Sequence, residues 1–163
     1  MTDEANKIGN VVQGVSLFTD FDIHLFKQGS HYHLFEKLGS HEMTVEGQAG
    51  VYFAVWAPNA KSVHVIGNFN GWNRGSHPLS VRWDSSGIWE GFIPQVEVGA
   101  LYKFYIRSNF NGYEIEKSDP FAFFSEVPPK TASVVWDLDY HWNDGDWMKK
   151  RSGRNSLHAP ITI

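Results

Sequence analysis

Residues 63–72, VHVIGNFNGW, join a β-branched stretch to a turn of amides and glycine that ends in an indole. Val63 and Val65 need a packed sheet beneath them, whereas Asn68, Asn70 and Gly71 are turn formers that would hold Trp72 at a rim. A flat apolar ring beside amide groups suits a pyranose: the ring covers the axial C–H patch and the amides meet the hydroxyls. The same ring would serve equally as a hydrophobic plug closing one end of a β-sandwich, because large aromatics favour partly buried positions in any case. Spacing leaves both open.

A second candidate lies in residues 101–107, LYKFYIR. Period-two alternation puts Tyr102, Phe104 and Ile106 on one face and Lys103, Tyr105 and Arg107 on the other. If the first face is core, Lys103 points outward, where a plainly solvated lysine is the ordinary outcome. A binding role requires Lys103 to share its face with Trp72 and with Tyr113, which follows the Asn111-Gly112 turn. Two rings and an ammonium would then form a groove able to donate to hydroxyls.

Other constellations fail on spacing. His31 and His33 are two residues apart, which on a helix sends them to different faces and spoils a metal pair. In the acidic run from Asp137 to Asp146, a calcium loop would need glycine where Trp142 stands and a bidentate glutamate where Met148 stands. Glu90, Glu97, Glu114, Glu116 and Asp119 show no pairing across a cleft, and nucleophile and phosphate-loop motifs are missing. No catalytic residue, metal or cofactor is therefore expected in this chain.

The elements that must position these residues read as follows. Residues 1–15 are polar and expected to fray. Residues 16–38 form a helical lead-in. There Thr19 is the N-cap, Asp22 completes a capping box, Phe18 and Ile23 form a hydrophobic staple and Gly29 is the stop. Ser30 would cap a second short helix over 33–38 with Gly39 as its C-cap. Short strands with alternating patterns follow at 51–56, 62–68, 79–83, 88–93, 101–107 and 133–136, separated by Pro58-Asn59, Ser85-Ser86-Gly87 and Asn111-Gly112 turns. This pattern predicts a mainly β chain, an antiparallel β-sandwich over 39–136. Residues 137–163 read as a polar connector that packs through Tyr140, Trp142 and Trp147. The terminal Ile161-Thr162-Ile163 looks like a strand cut off as it begins.

At 163 residues and 42% hydrophobic content the chain can bury the core of about one domain. Lys and Arg total 14 against 18 Asp and Glu, so the electrostatic source for nucleic-acid binding is lacking. There is no cysteine, which excludes disulfide scaffolds and fits a reducing compartment. The first fifteen residues lack the regions of a signal peptide and no run approaches membrane-spanning length. A soluble, cytoplasmic, monomeric chain without membrane contact is expected.

Several blocks carry a family resemblance that extends from Ser16 onward: LFTDFDIHLFKQGSHYHLFEKLGSHE, FAVWAPNAKSVHVIGNFNGWN, GIWEGFIP, KSDPFAFFSEVPPKTASVVWD and WNDGDWMKKR. FAVWAPNA with GNFNGW resembles carbohydrate-binding module family 48, and the lead-in ending YHLFEKLGSHE narrows the resemblance to the amino-terminal region of bacterial glycogen branching enzymes. The resemblance implies an immunoglobulin-like (early-set) sandwich that binds α-glucan and packs against its own catalytic (β/α)-barrel. It also implies a parent that cuts α-1,4 glucan and transfers the segment to a 6-hydroxyl by a retaining mechanism. The catalytic carboxylates would then lie after Ile163, and residues 1–163 alone would be inactive. Glycogen-binding modules of kinase β subunits use a tryptophan, a lysine, a second tryptophan and a polar residue. These positions fall here on Trp72, Lys103, Tyr113 and Ser133. Tyr113 stands for tryptophan and Ser133 for asparagine, both of which reduce contact.

Overall fold

Helix α1 (Asp20–Gln28) begins as the capping signals predict. Thr19 accepts from the Asp22 N–H, the Asp22 carboxylate accepts from the Thr19 N–H at 2.8 Å, and Gly29 closes the helix. The computed structural model describes residues 11–154 of the chain; the expectations for residues 1–10 and for Ile161–Ile163 lie outside them. Phe18 and Ile23 are both buried in one cluster, as a staple requires. Val12, expected to fray, instead pairs with Phe92 through backbone bonds of 2.8 and 3.2 Å.

The second lead-in helix is replaced by a single 3-10 turn, Leu34–Glu36, capped by His33 without a side-chain bond. Gly39 opens strand β1 (Gly39–Val45) where a C-cap was expected. His31 is pinned to the Asp22 carboxylate at 2.9 Å, whereas His33 pairs with Glu36.

The strands are β2 (Gln48–Trp56), β3 (Ala60–Gly67), β4 (Ser80–Val81), β5 (Ile88–Pro94), β6 (Leu101–Ser108), β7 (Glu114–Lys117), β8 (Phe124–Ser125) and β9 (Ser133–Val134). One antiparallel sheet runs β1-β2-β5-β4 and the other β3-β6-β9-β8, with β7 also paired to β6. β1, β7 and β8 were not legible in the sequence, because polar residues such as His41, Glu42, Glu114, Glu116 and Lys117 mask their alternation. The predicted strand at 79–83 shortens to β4.

The β1-β2-β5-β4 sheet is the middle of three layers. Val51, Phe53, Val55, Trp89 and Ile93 face the opposite sheet, where Val63, Val65, Tyr102 and Phe104 meet them. Tyr52, Ala54, Ile88 and Phe92 face the lead-in and contact Phe18, Ile23 and Leu38. Burial on both faces explains why the 51–55 stretch is continuously apolar. A polar clamp ties lead-in to sheet: Glu90 accepts from the Tyr52 hydroxyl at 2.5 Å, from Ser16 at 2.8 Å and from Arg82 at 2.7 Å.

After β9 the expected connector contains helix α2 (Gly145–Arg154). Tyr140 and Trp142 meet edge-on at 5.0 Å, and the Arg151 guanidinium lies 5.6 Å from the Trp147 ring centroid. All three rings stay half-exposed or more. Among the described residues no helix is long and apolar enough to cross a membrane.

Candidate functional site

Trp72 stands two residues past a 3-10 turn (Asn68–Asn70) that follows β3, directly after its C-cap Gly71. At Gly67 a Cβ would lie 2.2 Å from the Leu101 carbonyl oxygen and 2.5 Å from the Phe69 ring. Only glycine lets β3 end this close to β6. Asn70 then locks the turn: its Oδ1 accepts from Gly67 N–H at 2.9 Å, and its Nδ2 donates to the Val65 carbonyl at 2.9 Å and to Ser76 Oγ at 3.0 Å. The Trp72 N–H donates to the Gly67 carbonyl at 2.8 Å. Trp72 itself sits at φ +59°, a left-handed conformation that costs an L residue about 1–2 kcal/mol. The indole belongs to neither core cluster and keeps 38% of its surface open.

Lys103 lies where β6 changes partners along one edge. Leu101 and Tyr102 pair with β9, whereas Phe104 to Arg107 pair with β7. At that seam the chain leaves β7 for the 118–132 excursion, which contains the Pro128-Pro129 step, a cis peptide. Tyr102 and Phe104 are fully buried, so alternation turns Lys103 outward, as predicted. Its Nζ donates to Thr131 Oγ1 at 2.8 Å. Trp72, Lys103, Glu116, Glu126, Lys130, Thr131 and Ala132 line one open groove of about 340 Å³.

The groove combines an apolar ring with charges held in place. Arg74 donates to Glu116 through Nε at 2.8 Å and Nη2 at 2.5 Å, and stands 5.4 Å from the Tyr105 ring centroid. The hydrogen bond to Glu116 holds the Arg74 guanidinium above its ordinary range. Lys130 lies 3.5 Å from Glu126. An ammonium has three donors and Lys103 commits one of them here, which leaves two for a ligand, while the carboxylates only accept. Hydroxyls, which donate and accept, match such a lining.

The structure brings together Trp72 and Lys103 but not the other three residues singled out from sequence. Asn70 is spent on the turn. Ser133 is fully buried, its Oγ accepting from Asp119 N–H at 2.8 Å, because pairing with Tyr102 turns it to the core side. Tyr113 sits on the β6–β7 turn, where Asn111 and Gly112 both take positive φ and Ser108 N–H bonds the Tyr113 carbonyl. That is five residues along the strand from Lys103, roughly 17 Å, and outside the groove lining. Thr131, Glu116 and the Glu126/Lys130 pair were missed. Alternation of Glu114 and Glu116 was the one signal for Glu116, and it needed β7 to be recognised first.

The fold is an immunoglobulin-like antiparallel sandwich with a helical lead-in. The chain belongs to carbohydrate-binding module family 48: residues 37–122 match that module, described as the isoamylase N-terminal domain. It is 51% identical over 148 residues to the 1,4-alpha-glucan branching enzyme GlgB of Aquifex aeolicus, covering 91% of this chain and 23% of that protein. To the enzyme of the same name from Thermosynechococcus vestitus it is 53% identical over 146 residues, covering 89% of this chain and 19% of that one. The chain thus spans about a fifth of the length of these relatives. Among solved structures, Klebsiella pneumoniae pullulanase complexed with maltotriose matches with a TM-score of 0.50 and 27% identity, over 63% of this chain and 10% of that one. Paenibacillus barengoltzii pullulanase in complex with maltohexaose and alpha-cyclodextrin matches in fold with a TM-score of 0.51 and 21% identity, over 77% of this chain and 18% of that one.

Proposed function

We propose that this chain is the glucan-binding accessory module of a glycogen branching enzyme, with the Trp72–Lys103 groove as its sugar site. The observation that carries the reading is that an exposed indole and an outward ammonium, 31 positions apart in sequence, line one groove. A glucose ring would stack on Trp72 and give its hydroxyls to Lys103, Glu116 and Glu126. The parent would cut α-1,4 glucan and rejoin the segment as an α-1,6 branch, with its catalytic carboxylates outside residues 1–163.

One ring buries roughly 150–250 Å². Ordering a flexible sugar offsets most of that gain, so the isolated site should bind at about 1 mM, near -4 kcal/mol. On a polymer, such a site acts by raising the local concentration of chain ends at the catalytic domain. Amide shifts of the labelled chain titrated with maltoheptaose test the reading: movement at Trp72 and Lys103 supports it, and silence at both at high millimolar sugar ends it.

A structural reading is favoured by the aromatics beyond the sandwich. Trp142 is 77% and Trp147 50% exposed. In that reading the module packs against the barrel, Trp72→Ala leaves sugar affinity unchanged, and changes at Trp142 and Trp147 destabilise the longer protein.

A further inference from the structure

The turn joining β4 to β5 presents an indole more open than that of the groove. Trp83 is 85% exposed against 38% for Trp72, yet the backbone carrying it is fastened on several sides. The Asp84 carboxylate accepts from Arg82 Nε at 2.7 Å and from Ser86 N–H at 3.0 Å. Arg82 N–H donates to the Ile88 carbonyl and Ala57 N–H to the Gly87 carbonyl, both at 2.9 Å. From α1, Lys27 Nζ donates to the Asp84 carbonyl. Gly87 takes φ +77°, and a Cβ there would come within 2.7 Å of Pro58, so the turn seats directly on that ring. A second indole is tied to the same turn: Trp56, 55% exposed, donates Nε1–H to the Ser86 carbonyl at 3.0 Å. The Trp83 ring takes part in none of these bonds.

We infer that Trp83 is a second platform for the apolar face of a glucose ring, independent of the groove and displayed by the β1-β2-β5-β4 sheet. The ligand class rests on the glucan-binding reading above. A turn this well fastened loses little freedom when a ligand arrives, which preserves binding energy that a mobile loop would forfeit. The surroundings favour a saccharide over a protein. Ser85 and Lys27 at this turn are polar and exposed. Two part-open indoles among such neighbours, Trp83 and Trp56, bury at most roughly 150–250 Å² each, less than a stable protein interface of ~1,000 Å² needs. A ring facing polar groups matches a pyranose, which has an apolar face and a hydroxyl rim. The groove lies on the other sheet, so the two platforms engage separate stretches of a branched polymer. Two sites of about 1 mM joined in one rigid module hold such a polymer far more tightly than either alone.

The test is a maltoheptaose titration of the labelled 163-residue chain that follows the indole N–H signals of Trp56, Trp72 and Trp83 separately, in wild type, Trp72→Ala and Trp83→Ala. At 85% exposure the Trp83 ring contributes little to folding, and an unchanged amide spectrum elsewhere in Trp83→Ala checks this. Expected are shifts at Trp83 and Trp56 that persist in Trp72→Ala. In Trp83→Ala the Trp56 shift is lost while Trp72 still titrates, and retention of the chain in a glycogen-containing native gel falls several-fold. A moving Trp72 with a silent Trp83 overturns this inference and leaves the groove standing. A moving Trp83 with a silent Trp72 does the reverse. Loss of the Trp83 shift in Trp72→Ala makes its response indirect and also overturns the inference.

Discussion

The Lys103 ammonium donates to the Thr131 hydroxyl at 2.8 Å, bridging β6 to the far end of the 118–132 excursion. The bond spans the seam between β7 and β9, so a strand residue and a loop residue are held as one edge of the groove. Thr131→Val keeps the shape of the side chain and removes the acceptor. Maltoheptaose affinity should fall two- to fivefold in Thr131→Val, which releases the ammonium from its anchor, and about tenfold in Lys103→Ala, the order of one net hydrogen bond of about 1.4 kcal/mol. Calorimetric or shift titrations measure both, and equal affinity in Lys103→Ala would remove this residue from the site.

Trp72 reverses the usual ranking of small residues. Both Trp72→Ala and Trp72→Gly should abolish measurable binding in the groove. At φ +59° glycine is unstrained and alanine is not, so Trp72→Gly should be the more stable of the two by about 1 kcal/mol. Urea denaturation of the pair reads this difference without the lost ring contributing.

Ser133→Ala should leave sugar binding unchanged and lower stability. The fully buried hydroxyl accepts from Asp119 N–H, and leaving that donor unpaired costs about 1–3 kcal/mol. A Ser133→Ala chain with wild-type stability and weakened sugar binding would contradict the buried placement.

Asp119 should shape the pH dependence of folding. Burial raises its carboxyl from 3.8 to about 6, with the hydrogen bonds from Tyr102 and Phe121 N–H lowering it only in part. A raised carboxylate pKa favours the folded state below 3.8, and that advantage is lost as pH climbs through about 6. Asp119→Asn removes the titration. Stability of wild type relative to the variant should therefore drop by about 2 kcal/mol between pH 4 and 7. His41, whose pKa burial lowers, works in the opposite sense but is common to both chains, so the difference in urea midpoints isolates Asp119.

Local codes carried much of the fold. Thr19, Asp22 and Gly29 mark α1 because capping is satisfied within a few residues. The alternation in 101–107 oriented Lys103 correctly because Tyr102 and Phe104 are large enough to choose the buried face alone. Asn111-Gly112 marked its turn because few other dipeptides tolerate two positive φ values in succession.

What lay beyond the sequence depends on pairing at a distance. Ser133 reads as a polar residue in an extended segment, and only its register opposite Tyr102 sends it into the core. Thr131 reads as an ordinary loop residue until the seam between β7 and β9 brings it to Lys103. The order of residues by itself determined the helix start, the core strands and the outward face of Lys103, since those follow from short-range sterics and burial. That Trp72 stands at a rim and does not plug the sandwich was decided by the fold. Which of the polar residues join that pair was decided by tertiary structure alone. Strand partners and loop excursions set distances across the sheet, and no local pattern encodes them.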